Sequence, residues 1–391
     1  MARRRPIRGQ LHSTTDESER ALLIAVQTGA EDQPWSTDDS LAELKRLAES
    51  AGAVVVGERS QRLDTASGTY YVGKGKLKEL QDLKATLDYS LVVADDELTP
   101  RQQRAIEDEL DVRVIDRTAL ILDIFAHRAR SHEGKLQVEL AQHKYLLPRL
   151  IGRWQHLERL GGGIGTRGPG ESQLETDRRL IRLRISRLER DLEAVRRQRE
   201  VYRARRRRER VPIVALVGYT NAGKSTLFNT LSRASVLVED RLFSTLDPVT
   251  RKVRLPGGTT TLLSDTVGFI HKLPPSIIAA FRTTLEELDE ADLLLHVVDI
   301  THRDASRQHA TVEQILADIG LAAKPVITAL NKVDLLDTLA GESNGLTLKD
   351  RIAGERTDFV PVSAVTGWNL DELLERIESR LTSLSGSTPW T

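Results

Sequence analysis

The sequence predicts an α/β chain in three parts: an N-terminal parallel α/β domain, an antiparallel helical linker, and a second α/β domain at the C-terminal end. Three observations carry this. Over the first 130 residues short apolar runs alternate with amphipathic stretches, the pattern of βαβ units. Leucine, isoleucine and valine then recur at helical and heptad spacing through residues 132–210. From Val211 to about Leu384 the alternation returns in the order β-loop-α-β-β-α-β-α-β-α. A chain of 391 residues has room for two or three domains.

The N-terminal elements follow in order. "ALLIAV" (21–26), "AVVVGE" (53–58), "SLVVAD" (90–95) and "VRVIDR" (112–117) are short and apolar, suited to buried strands. Residues 40–51, 75–87 and 99–110 have helical periodicity between them. "SGTYYVGKGK" (67–76) holds a Gly-x-Gly pair. It reads first as a turn and helix start. The weaker alternative is a nucleotide-contacting loop, because the full glycine fingerprint is absent. The domain is expected to span 21–131, after a basic N-terminus over 1–20.

The linker, 132–210, is predicted as two helices. Leu136, Leu140, Leu147, Leu150, Trp154 and Leu157 mark the first. Pro148 should kink or break it. In the second, Leu174, Ile181, Leu188 and Val195 fall seven apart with Leu192 between, a coiled-coil seam. Two such helices joined by a short segment should fold back as an antiparallel coiled coil. The joining segment, "GGGIGTRGPG" (161–170), has six glycines and a proline; it holds neither helix nor strand.

Charge is balanced overall, with 57 basic and 57 acidic residues, so net charge predicts no partner. Its distribution is uneven. From Arg178 to Arg210 fifteen arginines stand against five acids, either a solvated face or an electrostatic footprint for nucleic acid. The absence of cysteine excludes disulfides, thiolate zinc sites and thiol catalysis. The N-terminus lacks an apolar core behind its basic residues and no run of 18 apolar residues occurs. A soluble cytoplasmic monomer is therefore expected, with peripheral membrane association left open.

The chemistry is concentrated in "VPIVALVGYTNAGKSTLFNTL". A buried strand runs into Gly218-Tyr219-Thr220-Asn221-Ala222-Gly223-Lys224-Ser225-Thr226 and then a helix. Backbone N–H groups of such a loop curl around phosphate oxygens. Lys224 reaches the β- and γ-phosphates and the Ser225 hydroxyl binds Mg²⁺. Thr245, in "LFSTLDP", offers a second hydroxyl for Mg²⁺. Asp265-Thr266-Val267-Gly268 ends a strand. Asp265 would hold Mg²⁺ through water and the Gly268 N–H would meet the γ-phosphate. These two segments sense the third phosphate.

"NKVD" (331–334) selects the base. The Asp334 carboxylate accepts from the ring N–H and exocyclic amine of guanine, and adenine offers neither pattern. Asn331 would tie this loop to the phosphate loop and the Lys332 stem would cover the base. Ser363 and Ala364, in "VSAVTG", supply the remaining contact, a backbone N–H from Ala364 to the purine oxygen. The ligand is GTP and the C-terminal part a P-loop GTPase domain, expected over 211–384 with a tail at 385–391. Many GTPases place glutamine after the Gly268 equivalent to orient water. Here Phe269 stands there, so intrinsic hydrolysis should be slow. Lys224, Thr245, Gly268 and Phe269 are the residues expected around the reacting phosphate. His271 and Lys272 lie near; His271 reads as a solvent-facing switch residue rather than a catalytic one.

"IGTRGPGESQLETDRRLI", "RVIDRTALILDIFAHRARSHEGKLQVELAQHKYLLPRL", "GYTNAGKSTLFN", "LFSTLDPVTR", "DTVGFI" and "KLP" closely resemble the HflX family of translational GTPases, over roughly residues 20–380. Phe269 is also that family's pattern. The resemblance implies binding to the large ribosomal subunit and its ribosomal RNA, GTP hydrolysis stimulated there, and splitting of ribosomes under stress. It also implies that the glycine-rich tip lies near the peptidyl-transferase region; beside it, Arg167 can stack on a base or fork to phosphate, and the cluster Arg205, Arg206, Arg207 and Arg208 reads as phosphate contacts or a solvated face. The family's N-terminal domain has been linked to ATP, but residues 1–130 show no strong phosphate loop. Some members carry a further small domain after the GTPase domain, for which this chain ends too soon. Large-subunit assembly, ribosome silencing by a nucleotide-gated binding factor, and an RNA-binding ATPase remain alternative readings.

Overall fold

The structure, a computed structural model, describes residues 19–29, 35–153, 169–209, 211–233, 242–243, 245–274, 277–278, 288–336 and 358–385; side chains of 151–153, 169–174, 202–209 and 385 are not described. Two sheets organise it. The first contains β1 (Arg20–Thr28), β2 (Val54–Leu63), β3 (Leu91–Ala94) and β4 (Arg113–Asp116), all parallel in the order β2-β1-β3-β4. Alternate residues of β1 face opposite sides. Ala21, Leu23 and Ala25 pack with α1 (Thr37–Ser50) and α4 (Arg117–Arg128). Leu22, Ile24 and Val26 pack with α2 (Lys74–Leu87) and α3 (Pro100–Leu110). Burial on both faces is why these strands read as continuous apolar runs.

Local chemistry sets the helix starts. Ser36 caps α1 by accepting from the Asp39 N–H, and Thr99 and Gln102 form a reciprocal capping box at α3 with Pro100 in its first turn. The segment 67–76 forms a turn, with Ser67 bridging to Tyr71, before α2 begins at Lys74. α4 is a helix beyond the three expected in this domain. Asp116 caps it by accepting the Ala119 N–H. The apolar run of α4 is buried on most sides and leaves only a narrow exposed stripe, Asp123, Ala126 and His127. β2 continues past Glu58 to Leu63 with a polar, half-exposed outer half, as an edge strand permits.

The chain then enters α5 (His132–Arg153). Pro148 lies inside this helix and does not break it. A proline removes one N–H and frees the carbonyl of the residue four earlier, here exposed Lys144. Arg149 then pins the turn, bonding to Leu98 O, Asp116, Gln103 and Tyr145 O. α6 (Pro169–Glu209) packs against α5 and takes in Pro169 and Gly170, the end of the segment expected to hold no helix, with proline at the start of a helix where its missing N–H costs nothing. Leu188 is buried with Leu136 and Leu140, flanked by Ile185, Leu192 and Val195. Arg199 pairs with Glu133 and Lys144 with Glu189, so the two helices run antiparallel. Leu180, Leu183 and Val201 are exposed, and the apolar seam is short.

The second sheet has six strands: β5 (Ile213–Gly218), β6 (Val249–Arg254), β7 (Thr260–Asp265), β8 (Leu293–Asp299), β9 (Val326–Asn331) and β10 (Phe359–Pro361). Their order is β10-β9-β8-β5-β7-β6, parallel except for β6 against β7. Helices α7 (Lys224–Ser232) and α9 (Leu370–Ser385) cover one face and α8 (Ala305–Asp318) the other. β5 sits where the winding reverses, between β7 and β8. In a doubly wound sheet the crevice at that point, beyond the strand carboxyl ends, is where ligands bind. Among the described residues no helix is long and apolar enough to cross a membrane.

Candidate functional site

The loop after β5 turns sharply into α7. Gly223 adopts φ 91°, and a Cβ there would strike the Asn331 side-chain amide. Glycine is required on both counts. Lys224 is buried at the start of α7, its ammonium donating to Gly218 O (3.1 Å) and Tyr219 O (2.8 Å). Burial pushes its pKa down to about 8, with Asp265 opposing the shift.

Three oxygens from three elements converge beside it. Ser225 Oγ lies 2.8 Å from Thr245 Oγ1 and 2.7 Å from Asp265 Oδ2, and Thr245 Oγ1 lies 2.8 Å from the same carboxylate oxygen. Asp265, at the end of β7, is fully buried. Its Oδ1 has no hydrogen-bond partner among the described residues. Burial pushes its pKa up against the pull of Ser225 and Lys224.

Thr266, Val267 and Gly268 lead away from Asp265 along the phosphate loop. A Cβ on Gly268 would come 2.9 Å from Lys224 Nζ and 2.8 Å from Thr220 Cγ2. The next residue closes a two-bond ladder: Thr220 N–H donates to Phe269 O (2.8 Å) and Phe269 N–H to Gly218 O (3.1 Å). The Phe269 ring is buried. On the other side, Asn331 Nδ2 donates to Ala222 O (2.9 Å) and its Oδ1 accepts the Ala364 N–H (3.0 Å). The Ala364 N–H expected to meet a purine oxygen is thus turned onto Asn331. Ser363 Oγ donates to Asp334 Oδ1 (2.6 Å), and Lys332 Nζ pairs with Asp299 at 2.7 Å. Ser225, Thr226, Asn331, Asp334, Ser363 and Ala364 therefore ring the carboxyl edge of the second sheet.

The carboxyl edge of the first sheet abuts this site, which sequence reasoning missed. Asp95, one residue past β3, is buried. It binds Arg117 (2.9 Å), Ser40 (2.7 Å) and Lys272 (2.6 Å). Arg117 is also buried and donates to Glu43 (2.7 Å) and to the His271 carbonyl (2.7 Å). Burial opposes the charge of Asp95, but Arg117 and Lys272 outweigh it and hold its pKa at about 2. Tyr219 accepts the His271 N–H (2.7 Å) and donates to Glu43. Lys272 additionally pairs with Asp96 at 2.7 Å. The only sequence signals were acids and an arginine at strand ends, in "VADD" and "VIDR", where the adjoining runs are otherwise apolar.

His271 is not solvent-facing as expected. Its ring stacks on Trp35 with centroids 4.8 Å apart, and burial, reinforced by Arg117 and Lys272, pushes its pKa down to about 4. The stack forms because Trp35 arrives from the N-terminal part, 236 residues away in sequence. Of the expected RNA contacts, Arg167 and residues 161–168 lie outside the described residues, as do the side chains of Arg205, Arg206, Arg207 and Arg208.

A loop that wraps anions, a buried lysine, and a hydroxyl–carboxylate cluster at the same strand ends suit a nucleoside triphosphate. The "NKVD" segment at the end of β9 lies beside them. This is the build of the P-loop GTPases, which hydrolyse GTP to GDP and phosphate. Family models agree: "GTP-binding GTPase N-terminal" matches residues 38–126, "GTP-binding GTPase Middle Region" 128–206, and "50S ribosome-binding GTPase" 213–332. The GTPase HflX of Caldanaerobacter subterraneus is 49% identical over 365 residues, covering 93% of this chain and 81% of that protein. That of Escherichia coli is 43% identical over 370 residues, covering 94% and 84%. The chain belongs to the HflX family of GTPases. A solved GTP-binding protein of Sulfolobus solfataricus in complex with GDP is similar at 25% identity and TM-score 0.46, over 94% of this chain and 99% of that one.

Proposed function

We propose that this GTPase acts on ribosomes, binding the large subunit through its helical pair and dissociating or remodelling ribosomes under stress, with hydrolysis stimulated by the ribosome. The observation that carries the nucleotide half is the convergence of Ser225, Thr245 and Asp265 beside Lys224. Two hydroxyls and a carboxylate with an orphaned buried oxygen form the hard-oxygen donor set that Mg²⁺ takes. Bound there, Mg²⁺ would neutralise charge on the β- and γ-phosphates.

The chain's own groups do the rest. Lys224 leaves the Gly218 and Tyr219 carbonyls for the phosphates, and the loop N–H groups bind and orient them. The Gly268 N–H reads the third phosphate. Asp334 accepts the two guanine donors, with Ser363 holding its other side. Phe269 offers no side-chain hydrogen bond to a water, which makes slow intrinsic turnover the expected baseline.

The ribosomal half rests on the family relatives and on the Arg-rich α6. We read 1–20 as a basic N-terminus, 21–131 as the N-terminal domain, 132–210 as a coiled-coil arm with its tip at 161–170, 211–384 as the GTPase domain and 385–391 as a tail. The soft tip suits close approach to RNA, with Arg167 and Arg205–Arg208 as contacts. We take the protein to be a cytoplasmic monomer. The test is GTP turnover with and without purified large subunits, beside gradient profiles of whole ribosomes. Stimulation with a rise in free subunits supports the reading. Turnover unaffected by subunits would overturn it.

A further inference from the structure

Thr245 is held at the phosphate site, but the residues around it are held elsewhere. Phe243 packs edge-on against Phe125 of α4, with centroids 4.7 Å apart at 81°. Asp247 lies against the start of α5. Its Oδ2 accepts the backbone N–H of Arg130 (2.8 Å) and Ser131 (2.7 Å), and its Oδ1 the Ser131 hydroxyl. Ser131 Oγ in turn accepts the Gly134 N–H (2.9 Å). A Cβ on Gly134 would collide with the Asp247 carboxylate. The helix entry is therefore shaped around a side chain that arrives from 116 residues away. A carboxylate is also the charge a helix N-terminus favours.

We infer that Asp247 is a positioning residue, a latch that ties the phosphate-sensing segment to the root of the helical arm. Only buried Leu246 separates it from Thr245. A shift of Thr245 is therefore coupled through two residues of chain to the start of α5, unless the latch breaks. Arg130 and Ser131 are exposed and Asp247 is half-buried, so their bonds can release where the buried Asp95–Arg117 pair cannot. The lever is long. Twenty-two residues span roughly 33 Å, so a tilt of about 10° at the root displaces the far end by about 6 Å. The latch thus gives the arm its own line to the nucleotide, separate from the grip on His271 and Lys272.

The inference rests on the proposed reading of the site as a phosphate-sensing GTP site, and its test keeps the two apart. The chain has no cysteine, so paired labels can be placed through Leu180→Cys on exposed α6 and Leu384→Cys on exposed α9. Spin-label distances are measured in full-length protein with GDP and with a non-hydrolysable GTP analogue, alone and with Asp247→Asn, Ser131→Ala or Gly134→Ala added. Fluorescent GTP binding and basal turnover are read on the same samples. We expect a nucleotide-dependent distance change in the latched protein that shrinks by at least half in each variant. GTP affinity and basal turnover should stay within about twofold. Ser131→Ala, the mildest change, guards against misfolding of the others. Failure of the latched protein to bind GTP would sink the site reading and the latch with it. Normal GTP binding with no distance change, or with a change that survives in all three variants, would overturn the latch alone.

Discussion

The two sheets of this molecule are built alike and used differently. Both are doubly wound, and both gather polar side chains at their carboxyl edges, where such folds bind ligands. At the second sheet those groups stay exchangeable. Among the described residues Lys224 donates to two carbonyls, and Asp265 keeps one oxygen unpaired. At the first sheet the equivalent edge is filled with protein. Asp95 is paired with Arg117 and Lys272, and Arg117 with Glu43 and a carbonyl of the other unit. A crevice that ordinarily takes a small molecule here takes a segment of the neighbouring domain. The lesson is that fold alone does not say whether an edge is a ligand site; the accounting of its hydrogen bonds does.

The largest expected effect tests the filled edge. Arg117→Ala takes the cation from buried Glu43 and one of the two cations from buried Asp95, which keeps Lys272, a loss of about 3–5 kcal/mol. Chemical denaturation of the full chain measures it, and a loss under about 1 kcal/mol would mean the first edge is no more committed than the second. Next comes the exchangeable edge. Lys224→Ala removes the charge expected on the β- and γ-phosphates, so turnover should fall roughly a hundred- to a thousandfold with the fold intact. Unchanged turnover would remove Lys224 from the site.

Much of the second edge was legible in the sequence because its motifs are local. A strand, eight loop residues and a helix start specify the phosphate loop, and "NKVD" follows an apolar strand. The short buried strands were legible for the same reason, since four to six apolar residues between turn signals leave few alternatives. The first edge was not legible. Asp95, Arg117, Glu43, Trp35 and His271 meet across 22 to 236 residues of chain, and no local pattern marks a buried salt bridge. α4 was hard to read because it follows β4 without a turn signal and only a narrow stripe of it is exposed, and Pro148 does not break α5, where Arg149 anchors the same turn to Leu98 and Asp116.

Base selectivity offers a smaller, sharper probe of the exchangeable edge. Asp334→Asn turns an acceptor into a donor, so GTP affinity should drop roughly tenfold to a hundredfold, the 1–3 kcal/mol of an unsatisfied polar contact. Xanthosine nucleotides should gain. Competition binding with GTP, ATP and xanthosine triphosphate reads this directly, and equal GTP and ATP affinity in the unmutated protein would contradict the base assignment.

The smallest effect separates the two edges by pH. His271 sits between them, facing Arg117, Lys272 and Asp95, with its pKa lowered from 6.5 to about 4. Between those values the unfolded chain binds a proton that the folded chain refuses, so stability falls as pH drops from 6.5 to 4. Asp95 acts in a lower window: its pKa of about 2 means its contribution is present above 3.8 and lost only as pH falls through about 2. Other histidines with lowered pKa values, His296 and His302, tilt the profile in the same direction as His271, so the bare slope assigns nothing. His271→Phe keeps an aromatic ring against Trp35 and removes the titrating nitrogens. Thermal unfolding from pH 7 to 4 should then show a shallower acid decline in the variant than in the parent, above the Asp95 window. Parallel curves down to pH 4 would mean the His271 ring takes up its proton in place, and that the contact between the edges opens more readily than its packing implies.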